Sequence, residues 1–182
     1  MNLITKRVHM NRCNGREVKQ LTLDRDFNVP DARPDALQIM KEQGEVQIEE
    51  VHMMEGKASV KGLLHFQILY ASDGDIPVSE MTGTIPFEET IPLPQAKAED
   101  EISVQAEIGD LKSELINSRK LGMKAIVVLN VTAGSVCDGE GAIDIEGGED
   151  IYIKKRTAEV SYLIFSKKDT LRVRDEWKIP GT

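Results

Sequence analysis

Two short polar stretches hold the residue types that chemistry would need. Val29-Pro30-Asp31-Ala32-Arg33-Pro34-Asp35 sets two carboxylates close together between and beside two prolines. Paired carboxylates can act as general acid and base. The same residues also read structurally: Pro30 can end a strand, and Asp31 or Asp35 can cap backbone N–H groups where a helix begins. Asn117-Ser118-Arg119-Lys120 is a polar cluster between two apolar rows, and Arg119 is a candidate partner for one of those aspartates in an ion pair. Pro30, Asp31, Pro34, Asp35, Asn117, Ser118 and Arg119 therefore form the candidate motif, with a structural role ranked ahead of ligand binding.

Other chemistry finds little footing. His9, His52 and His65 are isolated, with no HxH or HxxxH spacing to chelate zinc. His65 falls on the polar side of an alternating row and reads as a surface imidazole. Asp138, Glu140, Asp144, Glu146, Glu149 and Asp150 supply hard oxygens for Ca²⁺ but lack the EF-hand spacing, so a solvated acidic loop is the plainer reading. No phosphate loop, dinucleotide fingerprint or GxSxG elbow is present, and Gly134-Ser135 lacks the second glycine of that elbow. Cys13 and Cys137 lie far apart without a CxxC, which suits free thiols or small buried hydrophobes in a reducing compartment. The expectation is a non-enzyme without cofactor or metal.

The elements that must position these residues are mostly strands. From Ala58 the even positions Val60, Gly62, Leu64, Phe66, Ile68 and Tyr70 are apolar or glycine, and the odd ones are largely polar, which describes a strand with one buried face. Ile102, Val104, Ala106 and Ile108 form a second row. Met123 to Val131 forms a third, and Ile126 and Val128 make its other face apolar too, as in a central strand. Ala158, Val160, Tyr162 and Ile164 form a fourth. Val46 and Ile48 point one way and Val51 and Met53 the other, so a bulge is expected near Glu49-Glu50. Met54-Glu55-Gly56-Lys57 reads as the tight turn of a hairpin over 45–70, and Asp73-Gly74 as the next turn. Prolines 77, 86, 92 and 94 confine 77–97 to an edge hairpin or meander. One short helix is expected near 34–42, with Pro34 in its first turn and Gly44 at its end. Leu111–Arg119 reads as an irregular turn plus strand, and Cys137–Asp150 as a loop or flexible hairpin. The expected fold is mostly β: an antiparallel β-sandwich or barrel-like domain with one short helix.

The chain has 182 residues, about one domain in length. Its net charge of −8 argues against a general phosphate-backbone binder. Aromatics at 4% argue against base-stacking platforms. No signal-like or membrane-spanning apolar run is seen, so the default location is cytoplasmic.

Leu171-Arg172-Val173-Arg174-Asp175-Glu176-Trp177-Lys178-Ile179-Pro180 repeats the pattern of Leu21-Thr22-Leu23-Asp24-Arg25-Asp26-Phe27-Asn28-Val29-Pro30, with apolar positions and the terminal proline in register. The expected organisation is a β domain over 1–167 and, over 168–182, a linker or the first strand of a second, truncated repeat. That strand could fold back on its own domain or pair with a neighbouring molecule, giving self-association.

VPDARPDALQIM, the run from Glu45 to Tyr70 with VKGLLHFQILYASDGD, then IPFEETI and INSRKLGMKAIVVLNV together resemble the SPOCS domain, over roughly 17–165. The resemblance implies a spore coat assembly protein of the SipL type, non-enzymatic, acting with spore coat morphogenetic proteins on the mother-cell side of the forespore surface. Family members carry tandem copies and, in the SipL type, a LysM domain that contacts the coat-basement ATPase. No LysM stands here, so that contact does not transfer. Pro30, Asp31, Pro34, Asp35, Asn117, Ser118 and Arg119 match the family pattern, which supplies no catalytic residues. The alternative reading is a carbohydrate or peptidoglycan-fragment binding module, and a third is a hydrolase using Asp31 or Asp35 with an acidic partner.

Overall fold

The computed structural model describes residues 2–73, 75–147, 152–157 and 159. Six strands follow in order: β1 (Asn2–Asn28), β2 (Asp35–Met54), β3 (Lys57–Asp73), β4 (Val78–Pro92), β5 (Glu101–Asn117) and β6 (Lys120–Glu146). They form two three-stranded sheets, one ordered β1-β6-β5 and the other β2-β3-β4. Neighbours β2 and β3, β3 and β4, and β5 and β6 pair antiparallel.

The alternating rows decide which faces meet. The even residues of β3, from Ala58 to Tyr70, are all buried, Gly62 among them without a side chain. The odd residues of β6, from Leu121 to Ala133, are buried opposite them. One core cluster joins Val60, Phe87 and Ile91 to Val127, Leu129 and Val131. The other joins Leu64, Phe66, Ile68 and Tyr70 to Leu121, Met123 and Ala125. Each cluster draws on both sheets, so the architecture over these strands is a sandwich, with β6 central as its two apolar faces require.

Close packing at two rungs needs glycine. Gly62 pairs with Phe87 and Gly83 with Phe66 across adjacent strands. A Cβ on Gly83 would lie 2.4 Å from the Phe66 ring, and one on Gly62 would lie 2.6 Å from the Phe87 ring. Phe66 also meets Phe27 edge-on, with ring centroids 4.6 Å apart.

The helix expected at 34–42 is absent; these residues open β2. Pairing with β3 overrides the helix-forming residues here, and bulges adjust the register. Ala36 pairs with Ser72, Gln38 with Ala71, Ile39 with Tyr70 and Lys41 with Leu69, so Leu37 and Met40 are extra residues in the ladder. Each bulge resets the face, which brings Ala36 and Ile39 inward at helical spacing and leaves Leu37 and Met40 58% and 60% exposed. A third shift lies between Ile48 and Glu50, at the phase slip the sequence shows. The turn at Glu55-Gly56 closes the β2–β3 hairpin, with Gly56 at φ 71°, where a Cβ would be strained.

The segment 137–150, expected as a loop or flexible hairpin, is strand through Glu146, because β6 continues beyond its pairing with β5. Residues 77–97, expected as an edge hairpin or meander, give one edge strand, β4, which completes the antiparallel meander β2-β3-β4 and is followed by a connector. Pro86 sits within that edge strand, where a missing N–H is tolerated. The row from Ala158 to Ile164 and the segment 168–182 lie outside the described residues.

The chain divides into two compact units, Arg12–Ser135 and the combination of the residues through Asn11 with those from Val136 onward. Both core clusters fall within the first. In the second, Asp138 accepts from Arg7 and meets His9, and Lys155 lies 2.8 Å from Asp144. Burial pushes the Asp138 carboxyl up, but Arg7 and His9 outweigh it and hold it below its ordinary value. The Lys155 hydrogen bond lowers Asp144 in the same way. Cys13 is exposed and Cys137 half-buried, both as free thiols.

Candidate functional site

The seven motif residues meet where the chain first passes from one sheet to the other. β1 ends before Pro30, whose carbonyl accepts from Arg33 N–H at 2.9 Å and closes a turn. Pro34 and Asp35 then lead into β2, and the buried Tyr70 hydroxyl donates to the Pro34 carbonyl at 3.3 Å. The β5–β6 hairpin turn lies against this connector. Val29 N–H donates to the Arg119 carbonyl and Ala36 N–H to the Ser118 carbonyl, both at 2.8 Å. Asn117 Oδ1 accepts from Arg119 N–H at 2.9 Å, which fixes the turn locally.

The Arg119 guanidinium gathers the connector around itself. Nη1 donates to the Arg33 carbonyl at 2.7 Å and to Asp35 Oδ1 at 3.1 Å. Nη2 donates to the Val29 carbonyl at 3.1 Å and to Asp31 Oδ1 at 3.3 Å. Ser118 Oγ takes the other Asp35 oxygen at 2.8 Å. A planar fork with several donors suits this task, because one side chain satisfies two carbonyls that leave the strand ladder. The Arg119 side chain is 34% exposed and Asp35 48%, whereas Asp31 is fully solvent-facing. Both Asp35 oxygens are therefore engaged inside the cluster, and Asp31 is held by one long contact. The geometry joins two chain segments.

A second node, which the sequence reading did not find, sits at the other crossover. Residues 93–100 carry the chain from β4 to β5. Asp100 is buried, with 6% of its surface exposed. Asn14 on β1 donates to both Asp100 oxygens at 2.9 Å and approaches Ser135 Oγ at 3.0 Å. Lys97 N–H donates to Asp100 Oδ2 at 2.8 Å. That backbone bond first, then the Asn14 amide, holds the Asp100 carboxyl below its ordinary value. The connector also exchanges backbone bonds with the β2–β3 turn: Gly56 N–H donates to Ala96 O at 2.9 Å and Leu93 N–H to Gly56 O at 2.8 Å. The only local signal was the spacing Lys97 to Asp100, which fits a carboxylate turning back on a nearby N–H.

The outer face of β2-β3-β4 carries the odd residues of β3 in rungs across three strands. Gln43, Gln67 and Thr82 form one rung, and Glu45, His65 and Thr84 the next. Between them runs an open groove of about 450 Å³ over Gly44, Phe66 and Gly83. His65 Nε2 lies 3.2 Å from Gln47 Oε1, and Gln67 donates to Glu80 at 2.9 Å. Further along the face, Glu50 meets His52 at 2.6 Å and Lys61 at 3.5 Å, and its carboxyl is lowered chiefly by the His52 hydrogen bond. Among the described residues no group of three or more His, Cys, Asp or Glu is placed to hold a metal ion, and no helix is long and apolar enough to cross a membrane.

Residues 35–116 match the family model of the SipL SPOCS domain. The match runs from the first residue of β2 almost to the end of β5, within the wider resemblance read from the sequence. No curated protein and no solved structure matches the chain.

Proposed function

We propose that this chain is a non-enzymatic structural and protein-interaction module in spore coat assembly, acting with spore coat morphogenetic proteins at the mother-cell side of the forespore surface. The observation that carries the reading is the SipL SPOCS match over 35–116, which supports a role in sporulation. The site chemistry is in keeping with it. The best-organised polar cluster spends its donors and acceptors on joining two chain segments, and a fixed shape is what an assembly module needs. Tandem copies, suggested by the likeness of Leu171–Pro180 to Leu21–Pro30, would raise avidity without tighter single contacts.

The test is localisation in sporulating cells. A fluorescent fusion of the chain is expected to concentrate around the forespore, and loss of its gene to leave coat material detached or misplaced. A diffuse fusion together with an intact coat in the deletion strain would overturn the proposal.

A further inference from the structure

The net charge is unevenly spread. Residues 35–92, which hold β2, β3 and β4, contain eleven of the 31 carboxylates but three of the 23 lysines and arginines, a net charge of −8. The remaining residues hold twenty of each and are neutral. The whole negative charge of the chain therefore belongs to the β2-β3-β4 sheet and its turns.

This sheet also offers a place to dock. Its inner face is buried in the sandwich core, and its outer face carries the groove between the two polar rungs. Gln43, Glu45, Thr82 and Thr84 line that groove without a side-chain partner among the described residues. Among the described residues no lysine or arginine lines it. On the same outer face Glu80, 47% exposed, lies 3.8 Å from Arg33, and Glu88, 62% exposed, lies 3.6 Å from Lys61, so both keep open surface beside a long ion pair.

We propose that the outer face of the β2-β3-β4 sheet is a docking surface for a basic segment of a partner protein, with the groove at its centre. The inference rests on the assembly reading and names the surface and the chemistry of the partner. Opposite charges on the two surfaces would steer encounter and fix orientation. Within the groove, the Glu45 carboxylate would take a lysine or arginine. The Gln43 amide and the hydroxyls of Thr82 and Thr84 would take polar groups beside it.

The experiment is an amide-shift titration of the full chain with a lysine- and arginine-rich peptide, with a glutamate-substituted version and N-acetylglucosamine oligomers as comparisons. Shifts are expected at 43–45, 65–67 and 82–84 with the basic peptide alone. Affinity should fall about tenfold between low and physiological salt, as screening of exposed charges implies. Glu45→Lys with Glu88→Lys should weaken binding at least about tenfold, whereas Glu101→Lys with Glu107→Lys on the other sheet should change it less than about twofold. Thermal melts check that each variant is folded, and Glu45→Gln with Glu88→Gln replaces the first variant if it is not. Equal loss from both variants, shifts outside the β2-β3-β4 sheet, or shifts with the sugar instead of the peptide would each overturn the proposal. Localisation in cells still tests the assembly reading if this surface assignment fails.

Discussion

Arg119 shows how one side chain can stand in for missing strand pairing. Where β1 hands over to β2, the carbonyls of Val29 and Arg33 leave the ladder and need donors, and the guanidinium supplies both. Arg119→Ala removes those donors together with two carboxylate contacts. The expected cost is about 2 kcal/mol, between the values for exposed and buried charged pairs, read from urea denaturation midpoints. Arg119→Lys should recover less than half of that, because an ammonium cannot span the same acceptors. An unchanged midpoint would show that Arg119 does not hold the crossover. Asp100 gives a pH signature. Its carboxyl titrates lower in the folded protein than in the unfolded chain, where the value is about 3.9. The ionised form therefore stabilises the fold above that value, and the contribution is lost as pH falls through the lower folded-state value. Asp100→Asn should flatten the decline of stability as pH falls below the ordinary carboxylate range. The two nodes were unequally legible. Arg119 was visible as a cation between two apolar rows, with Asp31 and Asp35 as natural partners. Asn14, Asp100 and Ser135 sit far apart in a chain full of such residues, and nothing local marks their meeting.

The strands β3 and β6 were legible because each buries one whole face, so the period of two survives along their length. β2 was legible only in part, because it is an edge strand with three register shifts. Edge strands use bulges to discourage pairing with other chains, and each bulge breaks the period that identifies a strand. Its first residues are also good helix formers, with Pro34 before them and Gly44 after, and those local signals yield to pairing with β3. This difference can be measured. In a bulged strand Leu37 and Ile39 have opposite fates, since Ile39 packs on the core with Tyr70 and Leu37 faces solvent. Leu37→Lys should change stability by less than about 0.5 kcal/mol, and Ile39→Lys should cost more than about 2 kcal/mol. Equal costs would contradict the register. Gly83→Ala tests the neighbouring rung. The added methyl meets the Phe66 ring, and overpacking of this kind costs about 1–3 kcal/mol by thermal or urea unfolding.

At the scale of the molecule, the matched segment and the folding unit differ. Residues 35–116 include β2, β3 and β4 and nearly all of β5, but neither β1 nor β6. The inner face of β3 is buried largely by β6, which supplies Val127, Leu129, Val131 and Ala133 to one cluster and Leu121, Met123 and Ala125 to the other. A fragment of 35–116 would expose Val60, Leu64, Phe66, Ile68 and Tyr70 to water. Each such side chain contributes about 1.5–3 kcal/mol when buried, in sum comparable to the whole net stability of about 5–15 kcal/mol typical of a domain. It would also lack Arg119 and Asn14, and with them both crossover nodes. The fragment 12–135 keeps both clusters, both nodes and every paired rung of β2 to β5. It is expected to unfold in one cooperative transition with a midpoint close to that of the full chain. The fragment 35–116 is expected to show no cooperative transition and to bind a hydrophobic dye. A well-folded 35–116 would mean that β2-β3-β4 finds another cover for its inner face, and the shared-core account of this sandwich would fail.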